Sequence, residues 1–240
     1  MNKLLRADNT RMLRSATFRF GLLSLLALLL ITFFLDGDKG TLQRTEAGFQ
    51  SLLLFLPMVC GFLIILSVGA EFGNGAIRNK LIVGHRRSHV YTSWMVTGIA
   101  VTLISFVFTA AVLAVTCAID GGIIELSAKT LVTLSGVILC SLLCNAAMCL
   151  LISVIVPGTK GAVLCFIFQE ALFMVFMISA EEGGIAWVEK VSYFFPQGLI
   201  GVVSLLTAPE KPWVYMLCSL GAAVVFFALG IHYFRRKDLN

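Results

Sequence analysis

Charged residues are scarce in this chain, and this scarcity argues against most classes of soluble protein. Only 13% of the 240 residues are Asp, Glu, Lys or Arg, whereas 59% are hydrophobic. A soluble globular domain carries about 25% charged residues, so the composition indicates a membrane protein. The net charge is only +5, and the Lys and Arg residues are concentrated at helix ends and in certain loops. That distribution is typical of a protein facing an anionic leaflet and not of a nucleic-acid-binding surface.

The polar segments lack cysteine, which argues against the disulfide framework of a small secreted domain. All seven cysteines fall inside apolar runs: Cys60, Cys117, Cys140, Cys144, Cys149, Cys165 and Cys218. Three of them share one run without a histidine, so we interpret them as small packing residues rather than as a metal site.

Sequences typical of catalysis are also missing. No Gly-x-x-x-x-Gly-Lys-[Ser/Thr] segment occurs, so the chain encodes no phosphate-binding loop of that type. An intramembrane peptidase would need a nucleophile with a histidine, or paired acids, at membrane depth. The three histidines, His85, His89 and His232, lie near predicted helix ends. We therefore expect no enzyme activity and no metal or other cofactor bound by this chain, although a peptidase remains an alternative.

What the chain does contain is a series of six long apolar runs. A bilayer core about 30 Å thick needs roughly 20 apolar residues per helix, and lipid cannot satisfy backbone polar groups. The sequence therefore predicts an all-α integral membrane protein in which residues 1–240 form a single transmembrane domain. The six predicted transmembrane helices are Phe18–Leu35, Ser51–Ala70, Trp94–Ile119, Leu131–Val156, Ala162–Ala180 and Trp213–Phe234.

The distribution of Lys and Arg predicts the orientation. Thirteen of the eighteen lie in the N-terminal segment, in the loops after the second and fourth runs, and in the C-terminal tail. By the positive-inside rule this side is cytoplasmic. We therefore predict a multi-pass membrane protein with both termini in the cytoplasm.

Two segments outside the predicted spans have distinct patterns. Residues 1–17 carry Leu4, Leu5, Met12 and Ala16 at helical spacing, with arginines between them, which predicts an amphipathic helix on the cytoplasmic surface. The connection 181–212 is aromatic-rich and contains a short apolar stretch, so we predict short helices in the outer interface.

The cytoplasmic segment 71–93 is the most informative part of the sequence. It predicts a short helix between two spans, with Asn74 as a candidate N-cap and Gly84 just past its end. Ile77 and Leu81 share one face, whereas Arg78 and Lys80 project elsewhere. Glu71, at the end of the second span, is expected either to pair with a nearby cation or to be solvated. A short basic and apolar helix of this kind is suited to docking in a groove of another protein.

These residues resemble those of a known family. An acid at the end of the second span, followed by Gly-x-Ile-Arg-Asn-Lys-Leu, a glycine and a basic-Ser-x-x-Tyr stretch, is similar to the permease subunits of type-2 ABC exporters. The likeness extends over the whole chain, to the N-terminal helix, the long connection before the last span and the Phe-Arg-Arg-Lys-Asp-Leu ending.

The resemblance implies a division of labour between subunits. It implies that 71–93 is a coupling segment contacting an ATPase, with Glu71, Asn74, Ile77, Arg78, Lys80 and Leu81 as candidate residues. Two permease chains, identical or homologous, would pair in the lipid bilayer around a substrate path, and two ATPase subunits would use ATP and Mg²⁺. The resemblance also implies a bacterial plasma membrane as the location, and no nucleic-acid partner is expected.

Polar residues within the predicted spans are candidates for the substrate path. Gln169 and Glu170 lie midway along the fifth span, where an ionisable group is costly and indicates a cavity, a partner or an interhelical contact. Asn145 in the fourth span either lines the path or joins two helices. The apolar bundle favours an amphipathic peptide, an antimicrobial or another lipophilic compound as substrate. A membrane immunity or sensor protein that only binds its target is the main alternative.

Overall fold

The computed structural model describes residues 2–35, 41–119, 128–180 and 211–237, and these residues form helices and turns. Within the described residues eight helices follow one another: α1 (Asn2–Arg14), α2 (Ala16–Leu35), α3 (Thr41–Gly73), α4 (Ala76–Ile82), α5 (Arg87–Ile119), α6 (Ala128–Ile155), α7 (Thr159–Ala180) and α8 (Pro212–Arg236). The all-α prediction is confirmed for these residues. Most of the predicted outer connection, 181–210, lies outside the described part of the chain.

Four helices contain segments long and apolar enough to cross a membrane. These are Phe55–Gly73 in α3, Arg87–Val115 in α5, Val132–Ile155 in α6 and the whole of α8. The pair α1 and α2, bent by 53° at Ser15, provides a fifth if it is taken as one span. Their length and hydropathy are those of a multi-pass membrane protein, with four to five crossings by this criterion.

Helix α3 occupies the centre of the bundle and packs against α2, α5, α6 and α7, whereas α8 packs mainly against α6. One apolar cluster joins α2, α3 and α6 through Leu25, Leu56 and Leu142. A second cluster joins α3, α5, α6 and α8 and is rich in aromatic side chains, among them Trp94 and Phe234. Side chains packed in this way give the long helices their fixed neighbours.

One end of the bundle, which we call the basic end, collects α1, α4, the first turns of α5 and the last turns of α3, α6 and α8. The guanidinium of Arg87 donates to the carbonyls of Arg235 and Lys237, at 3.0 and 2.6 Å, where α8 ends. The ammonium of Lys237 donates in turn to the carbonyl of Val154, near the end of α6. Cations at helix C-termini satisfy unpaired carbonyls and oppose the negative end of the helix dipole. These contacts therefore tie α5, α6 and α8 together.

Candidate functional site

The short helix α4 is flanked by two glycines, Gly75 before it and Gly84 after it. Its N-cap is Gly75, with a left-handed φ of 65°, whereas Asn74 is exposed and precedes the cap. The prediction of Asn74 as the N-cap is therefore wrong, because the reversal of the chain after α3 requires a positive φ that glycine adopts without strain. Gly84 does follow the helix end, as predicted. Its N–H donates to the Leu81 carbonyl at 3.0 Å, and the next N–H donates to the Lys80 carbonyl at 3.2 Å. This pair of bonds is a Schellman motif.

The apolar face of α4 points into the bundle. Ile77 is only 3% exposed and packs in the aromatic cluster with Val90 and Tyr91, and Leu81 packs against the same cluster. The hypothesis that Ile77 and Leu81 form a docking face therefore needs correction, since burying them against α5 gains more than exposing them to water. The outward apolar surface lies at the two residues directly after Leu81, where Ile82 is 76% and Val83 is 78% exposed. Arg78 also lies on the exposed side.

Lys80 does not project to the surface as the sequence suggested. Its ammonium lies 2.8 Å from the Oδ1 atom of Asp8 and 2.8 Å from the Oε2 atom of Glu71. Both carboxylates are buried, at 5% and 2% exposure. Two buried acids that share one cation explain why Lys80 turns inward, because an uncompensated buried charge is very costly.

Further donors complete this ion cluster. The indole N–H of Trp94 donates to Oε2 of Glu71 at 2.9 Å, and the Ser93 hydroxyl donates to Oδ2 of Asp8 at 2.7 Å. The Arg11 guanidinium donates to Oε1 of Glu71. The cluster thus joins α1, α3, α4 and α5, and its two acids and two bases balance. Of the alternatives for Glu71, pairing is the correct one, and it involves cations of both α1 and α4.

Four members of this cluster were not among the predicted site residues: Asp8, Arg11, Ser93 and Trp94. Asp8 had a signal, because it lies four residues after Leu4 and four before Met12, both of which are buried. An acid on the apolar face of an amphipathic helix needs a partner inside the protein. Ser93 and Trp94 carried no comparable signal.

A cavity of about 210 Å³ adjoins the ion cluster between α1, α3 and α5. Asp8, Glu71, Asn74 and Trp94 contribute to its wall. The described residues contain no group of three His, Cys, Asp or Glu side chains with metal-site geometry. The contacts present in this region are ion pairs and hydrogen bonds between the helices.

The predicted path residues separate into two groups. Gln169 and Glu170 border a groove of about 1030 Å³ that runs between α2, α3 and α7 and is mainly apolar. Asn145 does not border this groove. Its amide donates to the Pro57 carbonyl of α3 at 2.8 Å, in a fully buried position. Asn145 therefore joins α6 to α3, which is the packing alternative.

Together, the long apolar helices and the buried ion cluster define a helical multi-pass membrane protein with a firmly anchored short helix at its basic end. No protein-family model matches the chain, and no curated protein is significantly similar to it.

Proposed function

We propose that the chain is the transmembrane permease subunit of an ATP-driven ABC exporter, with α4 as the helix that receives a separate ATPase subunit. In this proposal the basic end is cytoplasmic, α7 is a further crossing, and six crossings leave both termini in the cytoplasm. ATP and Mg²⁺ are bound by the partner, of which two copies serve two permease chains.

The observation that carries the proposal is the anchoring of α4 by the ion cluster. A docking helix can transmit movement only if it moves with the spans, and α4 is joined through Lys80 to Glu71 at the end of α3 and to Asp8 in α1. Its outward side offers Ile82, Val83 and Arg78. Exposed apolar side chains beside an arginine are suited to a protein interface, because exposed apolar patches mark interaction sites and arginine is enriched there.

The groove between α2, α3 and α7 supports the transport part of the proposal. Glu170 borders this groove, and the apolar wall of the groove is suited to an amphipathic or lipophilic substrate. Large apolar side chains of α7 are exposed beside it, among them Phe166 and Ile167. Such a surface requires lipid or a second permease chain, and a paired chain would close the groove into a path.

The experiment is co-purification of the tagged chain with its candidate ATPase from detergent or nanodiscs, followed by ATPase assays with amphipathic peptides. Ile82→Asp places a charge in the outward apolar surface, so the ATPase is expected to be lost and peptide stimulation with it. His89→Asp is the matched control, since it adds the same charge at an exposed position outside α4 but removes no apolar surface. This control is expected to retain the ATPase.

Each outcome has a defined meaning. If the Ile82→Asp variant retains the ATPase, α4 is not part of the interface with the ATPase. Failure of the unmodified chain to bind any ATPase would instead favour the membrane immunity or sensor alternative, and stimulation by ions alone would contradict the amphipathic substrate.

A further inference from the structure

Two buried thiols from different helices meet beside the groove. The sulfur atoms of Cys149 in α6 and Cys165 in α7 lie 3.2 Å apart. The amide of Gln169 donates to both, at 3.4 Å to Cys149 and 3.2 Å to Cys165. An S–S bond is about 2.05 Å long, so a displacement of roughly 1 Å separates this pair from a covalent link.

The backbone of α3 holds the thiol pair in place. At Gly61 a Cβ atom would lie 2.7 Å from the Cys149 sulfur and 2.7 Å from the Gln169 amide nitrogen. The absence of a side chain at Gly61 therefore leaves the space that the two thiols and the amide fill. Since α3, α6 and α7 all contact one another here, the sulfur atoms have little freedom to separate.

The groove provides access for an apolar reagent. Cys165, which is 2% exposed, borders it together with Gln169, whereas Cys149 does not border it and is fully buried. Water-soluble oxidants and reductants enter such an apolar space poorly, but a lipophilic molecule of the bilayer partitions into it. The oxidation of this thiol pair therefore depends on whether the oxidant is dissolved in the bilayer or in water.

We propose that Cys149 and Cys165 are a modification site that lipophilic quinones oxidise to a disulfide, linking α6 to α7. Both S–H bonds break and one S–S bond forms between the two sulfur atoms. Two electrons and two protons pass to the quinone, which leaves as the hydroquinone. The Gln169 amide stabilises the thiolate that forms during the reaction, because an N–H donor favours the charged sulfur. The disulfide would fix α6 and α7 relative to each other along one wall of the groove. This proposal is independent of the exporter assignment.

The test uses the full chain in membrane vesicles treated with a fully substituted benzoquinone, whose ring has no free position for thiol addition. After removal of the quinone, the protein is denatured, its free thiols are alkylated and the peptides are analysed by mass spectrometry. Two of the seven thiols are expected to escape alkylation and to appear as one cross-linked pair of peptides containing Cys149 and Cys165. Dithiothreitol added after denaturation should restore both thiols.

Matched variants identify the pair. Cys149→Ser and Cys165→Ser should each abolish the cross-link, whereas Cys144→Ser should leave it intact, because Cys144 is equally buried in α6 but packs toward Ala223 of α8. Full alkylation of Cys149 and Cys165 after quinone treatment would overturn the proposal. Phenylarsine oxide, which bridges neighbouring thiols without oxidising them, provides a second measurement. If it too fails to protect the two cysteines, the thiols are not adjacent in the membrane.

Discussion

At the scale of single residues, Lys80 is the centre of the basic end. It is the cation that both buried carboxylates share, and its own side chain is largely buried. Arg11 also contacts Glu71, but its side chain is more than half exposed. An ion pair with one exposed partner contributes less than a buried one, because water and salt screen it. Lys80 therefore compensates most of the buried negative charge.

Replacing Lys80 by methionine tests this role. Lys80→Met keeps the length of the side chain but removes the only cation that the described residues place on Asp8, so the free energy of unfolding should fall by about 3 kcal/mol. For a chain of this size the melting temperature in detergent should fall by roughly 6–12 °C. Arg86→Met removes an exposed cation close in sequence and should change stability by no more than about 0.5 kcal/mol.

A double variant separates charge from packing. Adding Asp8→Asn to Lys80→Met removes the carboxylate that was left alone, so the second change should restore part of the lost stability. If Lys80→Met melted at the same temperature as Arg86→Met, the cluster would have no stabilising role, and the anchoring of α4 would need another explanation.

At the scale of helices, the contact between α5 and α8 depends on one glycine. A Cβ atom at Gly230 would collide with the Tyr91 hydroxyl oxygen, and the Tyr91 ring packs against Phe227 and Phe234. Gly221 lies on the same helix, and a Cβ atom there would have no neighbour within 4 Å. The two glycines therefore offer a matched pair of sites.

Gly230→Ala should destabilise the protein by about 1–3 kcal/mol, because the added methyl group forces the buried tyrosine away. Gly221→Ala should be neutral or stabilising, by at most about 1 kcal/mol, since alanine favours the helix. Thermal unfolding of both variants under the same conditions measures the difference. Equal melting temperatures would show that α5 and α8 are not closely packed at this point. Tyr91→Phe in the Gly230→Ala background should recover part of the loss.

The helix α4 shows how far sequence reasoning reaches at this scale. Its existence and its end at Gly84 followed from local patterns, because a Schellman motif involves only residues near one another in the chain. Its orientation did not follow, because the burial of Ile77 depends on Val90 and Tyr91 of α5. The inward turn of Lys80 depends on Asp8, 72 residues away.

At the scale of the whole molecule, composition predicted the membrane class, and the apolar runs predicted the helical segments. The hydropathy of each span is a local property, so the predicted runs coincide with helices. Contacts between spans are not local. Neither the link from Asn145 to Pro57 nor the approach of Cys149 to Cys165 has a sequence signature, because each depends on how the helices rotate in the bundle.

At this scale the crossing of the membrane by α7 can be tested with reporter fusions. A phosphatase that needs disulfides is active only where it is fused outside the cytoplasm. With six crossings, fusions after Arg86 and Gly158 should be inactive, and fusions after Ile119 and Lys211 should be active.

If α7 does not cross, the fusion after Lys211 should instead be inactive, like the one after Gly158. That result would place the C-terminus on the opposite side from the N-terminus. It would separate the end of α8 from the ion cluster, contrary to the contacts of Arg87 with the last carbonyls of α8. Because these contacts join the start of α5 to the end of α8, we expect the fusion after Lys211 to be active.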